Sequence, residues 1–223
     1  MHSGALFYLG PVPVYNITVT AWAVIIILGT LFYFGTRKLE RVPRGIQNVA
    51  EMVVEGLLNF FTSILGEDRA RKYTPVLATF FLFILLCNYS GLVPGAGQIR
   101  GFQPPTSDWN VTGGLAIIVF FLTHYFGVRA KGLSYFKHFL QPFWPFLPLN
   151  ILEEFARPLS LTLRLFGNIF AEETILAFLL AMAPFMVPVA MMGLSLLLAA
   201  IQALVFTILA TSYIASATEE HGH

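Results

Sequence analysis

Five stretches of this chain, residues 17–36, 76–93, 111–128, 150–183 and 189–217, are apolar and long enough, or nearly so, to cross a bilayer as helices. Nothing else in the sequence restricts the fold as strongly. Inside hydrocarbon every backbone N–H and C=O must be satisfied within the protein, so only helices and closed barrels span membranes. A barrel needs alternating segments of about ten residues, and none is present. The reading is an all-α polytopic membrane protein. It is one membrane domain over residues 1–223 with five transmembrane helices. The last two runs exceed the roughly 20 residues a bilayer requires, which predicts a long tilted hairpin. Only 11% of the residues are charged, where a soluble domain carries about 25%.

Residues 45–66 differ. Ile46, Val49, Val53, Leu57, Phe60 and Ile64 recur at intervals of three and four, with Gln47, Asn48, Glu51, Glu55, Asn59 and Ser63 on the other side. That pattern predicts an amphipathic helix lying along the interface. Pro75 is expected to precede the second span. A polar loop covers residues 94–110, the Pro-rich stretch 141–148 suits an interfacial turn, and Pro184 and Pro188 bracket the last turn. If residues 45–66 do not cross, Arg37, Lys38, Arg41, Arg44, Arg69, Arg71, Lys72, Arg129, Lys131 and Lys137 all share one side, and only Arg100 lies in the opposite loops. The basic side is the cytoplasmic one. The N-terminus is then outside and the C-terminus cytoplasmic.

Several function classes find no support. The net charge of +1 gives no nucleic-acid surface. Cys87 alone sets no disulfide framework. His124, His138, His221 and His223 lack metal-ligand spacing with Cys or Asp, and Gly91, Gly95 and Gly97 do not lead into the lysine of a phosphate loop. No cofactor, metal or nucleotide site and no catalytic residue is expected in this chain. No basic region precedes the first apolar run, so no cleaved signal peptide is expected.

Arg164 stands out. A permanent cation at the centre of a span costs ~3 kcal/mol on insertion scales, and Arg does not escape by deprotonation. Asn168 lies one turn on. Glu153 lies about three turns back on nearly the same face, and Glu173 lies ~13.5 Å onward on the opposite face, with Glu172 between. The carboxylates Glu153, Glu154, Glu172 and Glu173 thus form two groups with Arg164 between them. Two offset half-channels fit this better than one straight pore. The final run adds Ser195 and Gln202 on one stripe, then Thr207 and Tyr213; Gln202 is placed to face Arg164 across the hairpin. Blander readings stand beside these: Arg164 as an assembly ion pair, Glu153 and Glu154 in the headgroup region, Ser195 and Thr207 as packing groups, Tyr213 as an interface anchor, and Pro158 as a kink or a helix start. No internal repeat marks a stand-alone secondary transporter, which with a non-conducting scaffold subunit forms the alternative reading.

The segment Leu163-Arg164-Leu165-Phe166-Gly167-Asn168 with Glu173, followed by Ile201-Gln202-Ala203, Tyr213 and Glu219-Glu220-His221, resembles subunit a of the F-type ATP synthase. The resemblance implies a stationary membrane subunit beside a rotating c-ring. Arg164 would face the ring carboxylate, which gives up its proton on approach. Asn168 would be a polar channel residue, Glu173 a carboxylate of the outer half-channel and Gln202 the glutamine packed opposite Arg164. Glu153 or Glu154 would serve the inner half-channel. Some relatives carry glycine at the position of Glu172 and histidine at that of Ser195, so the double carboxylate would replace a histidine relay here. The transported ion is read as the proton, with sodium as the alternative. The resemblance also implies peripheral-stalk b subunits contacting residues 37–72, the rest of an ATP synthase complex, and a bacterial inner membrane.

Overall fold

A computed structural model describes residues 7–9, 12–37, 45–92, 104–132, 135, 145, 147–182 and 186–219. Lys38, Arg41, Arg44, Gly95, Gly97, Arg100, Lys137, His138, residues 141–144, Pro184, Glu220, His221 and His223, for which the sequence raises expectations, lie outside these described residues. The fold is all-α and polytopic, with α1 (Asn16–Thr36), α2 (Ile46–Leu65), α3 (Glu67–Ser90), α4 (Trp109–Lys131), α5 (Leu147–Met182) and α6 (Met186–Thr218). One feature was not expected: a two-stranded antiparallel hairpin of β1 (Phe7–Leu9) and β2 (Val12–Val14), with Phe7 opposite Val14.

Helix limits follow the sequence closely except around α2 and α3. Pro75 does not bound a span; it sits inside α3, which begins eight residues earlier. The break falls at Gly66, whose φ of +77° is a left-handed conformation that glycine adopts without a Cβ clash. Glu67 and Asp68 then occupy the first turn of α3, where the helix dipole favours negative charge. Pro188 likewise lies within the first turn of α6, where its missing N–H costs nothing. On α4, the Asp108 side chain accepts from the Asn110 N–H at 2.7 Å, and Arg129 and Lys131 close the last turn.

Among the described residues, α1, α2, α3, α4 and α6 are long and apolar enough to cross a membrane. α5, with 36 residues, is longer than a bilayer requires. α2 is among the apolar helices because Glu51 and Glu55 are its only charges. Its packed stripe is also rotated by one residue from the expected one. Ala50, Phe61 and Leu65 are buried while Val49 and Met52 are exposed, so α2 presents apolar side chains both to the protein and outward.

The core gathers where α6 meets α2, α3, α4 and α5. Its buried face runs through Ser195, Ala199, Gln202, Ala203, Phe206, Ala210 and Ile214, against Tyr73, Leu77, Ile84, Ala116, Val119, Leu161 and Leu165. Lipid is as apolar as Leu, so helices here associate by close packing of small residues rather than by a hydrophobic drive. Thr207 serves that purpose, its hydroxyl turned back onto the Ala203 carbonyl at 2.8 Å. On α4, a Cβ at Gly127 would come within 2.5 Å of the Tyr135 ring, which is buried. Gly127→Ala should therefore cost about 1–3 kcal/mol by overpacking. Gly114→Ala, whose Cβ meets nothing within 4 Å, should be neutral or slightly stabilising. Thermal melting of the two variants tests the contrast.

Candidate functional site

Arg164 lies halfway along α5 and is exposed on the surface of the chain. No carboxylate among the described residues comes within ion-pair distance of it. Leu159, Leu163 and Phe170 on α5 are exposed as well, as are Leu197, Ile201 and Leu204 on α6. The cation thus sits in an apolar, outward-facing setting without a counter-charge among the described residues.

One turn on, the Asn168 amide donates to Oε1 of Gln202. Gln202 thus reaches across the α5–α6 hairpin to the residue one turn beyond Arg164. Gln202 is 5% exposed, and its Nε2 has no partner among the described residues. From α3, Asn88 Nδ2 donates to the Ala199 carbonyl at 3.1 Å, and Asn88 Oδ1 is similarly unsatisfied. Ser195, two turns from Gln202 on the same stripe, is fully buried, and its Oγ has no partner at full hydrogen-bond geometry among the described residues. Buried polar atoms are ordinarily satisfied by protein or ordered water, so this line of amides and hydroxyl is a polar track through an otherwise apolar interface.

The track ends at the carboxylates of the second half of α5. Glu172 and Glu173 are partly buried. Ser195 of α6 stands beside Glu172, and Ser107 of the short 3-10 turn Pro105–Ser107 stands beside Glu173. Two adjacent carboxyls on one helix thereby reach two different neighbours.

The first half of α5 builds a separate cluster. Arg157 reaches Glu153 Oε1 and Glu154 Oε1, both at 3.0 Å, and its guanidinium lies 5.3 Å above the Tyr213 ring. Tyr213 is therefore engaged by Arg157, which the interface-anchor reading does not require. The two glutamates differ: the Glu153 side chain is mostly exposed, while that of Glu154 is 15% exposed and points inward. Glu154 Oε2 lies 3.9 Å from His124 Nε2 of α4. Tyr135, beyond the end of α4, packs edge-on to His124. Its phenol is pushed up to about 12, by burial first and the Glu154 carboxylate second, so it stays a hydroxyl at neutral pH. His124, Glu154, Arg157 and Tyr213 line a small pocket that also touches Val119, Thr123, Pro158 and Leu161.

The two carboxylate groups thus sit at opposite ends of α5, each with its own polar neighbours, and Arg164 lies between them. Sequence reasoning missed Asn88, Ser107, His124, Arg157 and Tyr135 as members of these clusters. Asn88 carried a signal, an amide inside an apolar span that is costly to bury unpaired. Ser107 and Tyr135 carried none, because both lie outside the spans and only tertiary packing brings them in. Among the described residues no group of His, Cys, Asp and Glu is arranged to hold a metal ion.

A family model described as ATP synthase A chain matches residues 17–215. The ATP synthase subunit a of Moorella thermoacetica is 43% identical over 220 residues, covering 98% of this chain and 96% of that protein. Those of Trichlorobacter lovleyi and Gloeobacter violaceus are each 42% identical, over 92% and 96% of this chain and 88% of either relative.

Proposed function

Because the chain belongs to the ATP synthase A chain family, we propose that it is the stationary channel subunit of a rotary ATP synthase, whose two offset half-channels deliver protons to and from a c-ring. The observation that carries this is Arg164. A cation that does not deprotonate, set midway along a membrane helix and exposed with no carboxylate of the described residues beside it, calls for an anion from outside the chain. A ring of helices each bearing one carboxyl supplies that anion repeatedly. A scaffold role would instead call for a fixed partner.

The outer passage runs from Glu172 and Glu173 past Ser195 and Asn88 to Gln202 and Asn168, with water satisfying the buried polar atoms. A proton carried along it neutralises a ring carboxylate, which then tolerates lipid. The inner passage starts at the cluster of Glu153, Glu154, Arg157 and Tyr213, where a returning ring site releases its proton. Arg164 attracts the arriving carboxylate and, by its charge, bars protons from crossing directly between the passages. A potential of 100 mV yields about 2.3 kcal/mol per charge. Several protons must therefore be pooled for each ATP, which a rotor does.

In this reading α2 lies in the interface. The basic residues Arg37, Arg69, Arg71, Lys72, Arg129 and Lys131 mark the cytoplasmic side of a bacterial inner membrane, with the N-terminus outside and the C-terminus cytoplasmic. Residues 37–72 meet the b subunits of the peripheral stalk. The ion is tested directly in proteoliposomes holding the whole complex. ATP-driven transport should be abolished by a protonophore and indifferent to sodium removal; transport that needs sodium and survives the protonophore assigns the other ion.

A further inference from the structure

We propose that His124 is a further proton-carrying residue of the inner passage, exchanging a proton with Glu154. The proposal rests on the reading of that passage given above.

The geometry divides the Glu154 carboxyl between two partners. Oε1 takes the Arg157 guanidinium at 3.0 Å, and Oε2 is turned to His124 Nε2 at 3.9 Å. On the imidazole, Nδ1 lies 2.9 Å from the Phe120 carbonyl. A carbonyl only accepts, so Nδ1 carries a hydrogen and, in the neutral ring, Nε2 is left with its lone pair toward Glu154. At 3.9 Å the two atoms are too far apart for a direct hydrogen bond. Between them lies the pocket lined by His124, Glu154, Arg157 and Tyr213, whose free volume of about 10 Å3 suits a single water. A water in that pocket, off the line joining the two atoms, can hydrogen-bond to both of them.

The charges facing the imidazole fit the same role. From α5 they are Glu154 and, through their shared fork, Arg157 and Glu153; from α6 it is Tyr213; beyond α4 it is Tyr135. Two carboxylates and one guanidinium leave one negative charge uncompensated beside the imidazole. Both tyrosines are donors that cannot take up that proton. Imidazole is the side chain that changes charge in the physiological range, and Glu154 is the carboxyl it faces. A structural histidine bonded to its own helix and stacked 4.3 Å from Phe120 would explain Nδ1, but it leaves Nε2 aimed at a carboxylate across a water-sized gap without purpose.

The step balances. A proton leaves Glu154 Oε2, breaking its O–H bond, and arrives at Nε2 through the water. The products are a carboxylate held by Arg157 and an imidazolium that still donates from Nδ1 to Phe120. The imidazolium then releases its Nε2 proton to water on the inner side and returns to the same neutral tautomer. Uptake from the inner side runs the sequence backward.

The test uses the assembled complex in proteoliposomes with the inner face outward. H124Q keeps an amide of similar reach but carries no proton. It should slow ATP-driven proton transport ~10-fold, less than the roughly 10²–10⁴ a positioned acid–base group contributes, because water offers a slower bypass. An imidazole carrier predicts a step in the wild-type rate between about pH 6 and 8 on the inner side; the variant should lose it, and imidazole added on that side should restore the rate. Wild-type rates across that range overturn the proposal, and so does uniform slowing that imidazole does not relieve, which is what a packing role gives. Should H124Q fail to assemble, the shorter H124N and the variant E154Q carry the test, each expected to lose the same step. An Arg164→Ala complex read in parallel separates the two levels: if it pumps normally, the channel reading itself falls, whereas if it is inactive while H124Q behaves as wild type, only the role of His124 falls.

Discussion

Arg164→Ala should abolish ATP-driven proton transport while leaving the complex assembled. Removing the guanidinium removes a group that costs ~3 kcal/mol or more to hold at the centre of a span, so insertion of α5 is not harmed. Among the described residues Arg164 holds no ion pair whose loss would leave a buried carboxylate behind. What disappears is its attraction for an incoming carboxylate. At an effective dielectric near 20, two charges about 4 Å apart interact by ~4 kcal/mol, and each ~1.4 kcal/mol is a factor of ten in rate. Transport should fall by at least ~100-fold. On the proposed arrangement of two passages, passive proton leak through the membrane sector should rise, because the charge proposed to separate them is gone. Arg164→Lys restores the charge without the planar fork and should recover only part of the rate. Fluorescence quenching in vesicles reads both pumping and leak. An alanine variant that pumps at the wild-type rate leaves the guanidinium with no part in the mechanism.

Part of this arrangement was legible in the chain itself. Charge-free apolar runs dictate helices because hydrocarbon offers the backbone no other partner, and the limits of α1, α4 and α6 follow from that. A helix of 36 residues is about 54 Å long at 1.5 Å per residue, so the separation of Glu154 from Glu173 along α5 was arithmetic. Pairings across helices were not. Gln202 and Asn168 are 34 residues apart, and the choice of Asn168 over Arg164 as partner depends on the rotation of α5 against α6. Pro75 misled because proline is a strong breaker in water; here the helix continues through it, with neighbouring helices and the Thr79 hydroxyl, 2.8 Å from the Pro75 carbonyl, in place around it. The inner cluster was half visible. Its two glutamates were named, but which of them turns inward follows from Arg157 forking to both and from α4 bringing His124 against only one.

The double variant Glu172→Gln with Glu173→Gln should slow transport by ~10-fold or more, the scale on which a positioned proton carrier contributes. Glutamine matches glutamate in shape and keeps its hydrogen bonding, so neither side chain loses its place beside Ser195 and Ser107. What it lacks is the capacity to take up and release a proton. Each single variant should be milder than half the double, because the two carboxyls are adjacent and the survivor keeps a route open; groups that share one task are not additive. The singles should differ from each other too. Glu172 stands next to Ser195, whose buried hydroxyl has no other partner and leads toward Gln202, while Glu173 stands next to Ser107, whose hydroxyl is already given to the Pro104 carbonyl at 2.9 Å. A proton handed inward therefore leaves from Glu172, and Glu172→Gln should be the more damaging of the two. Transport rates of the double variant that match the wild type across about pH 6–9 would take both carboxyls out of the path. The reverse order of the singles would move the inward exit to Glu173.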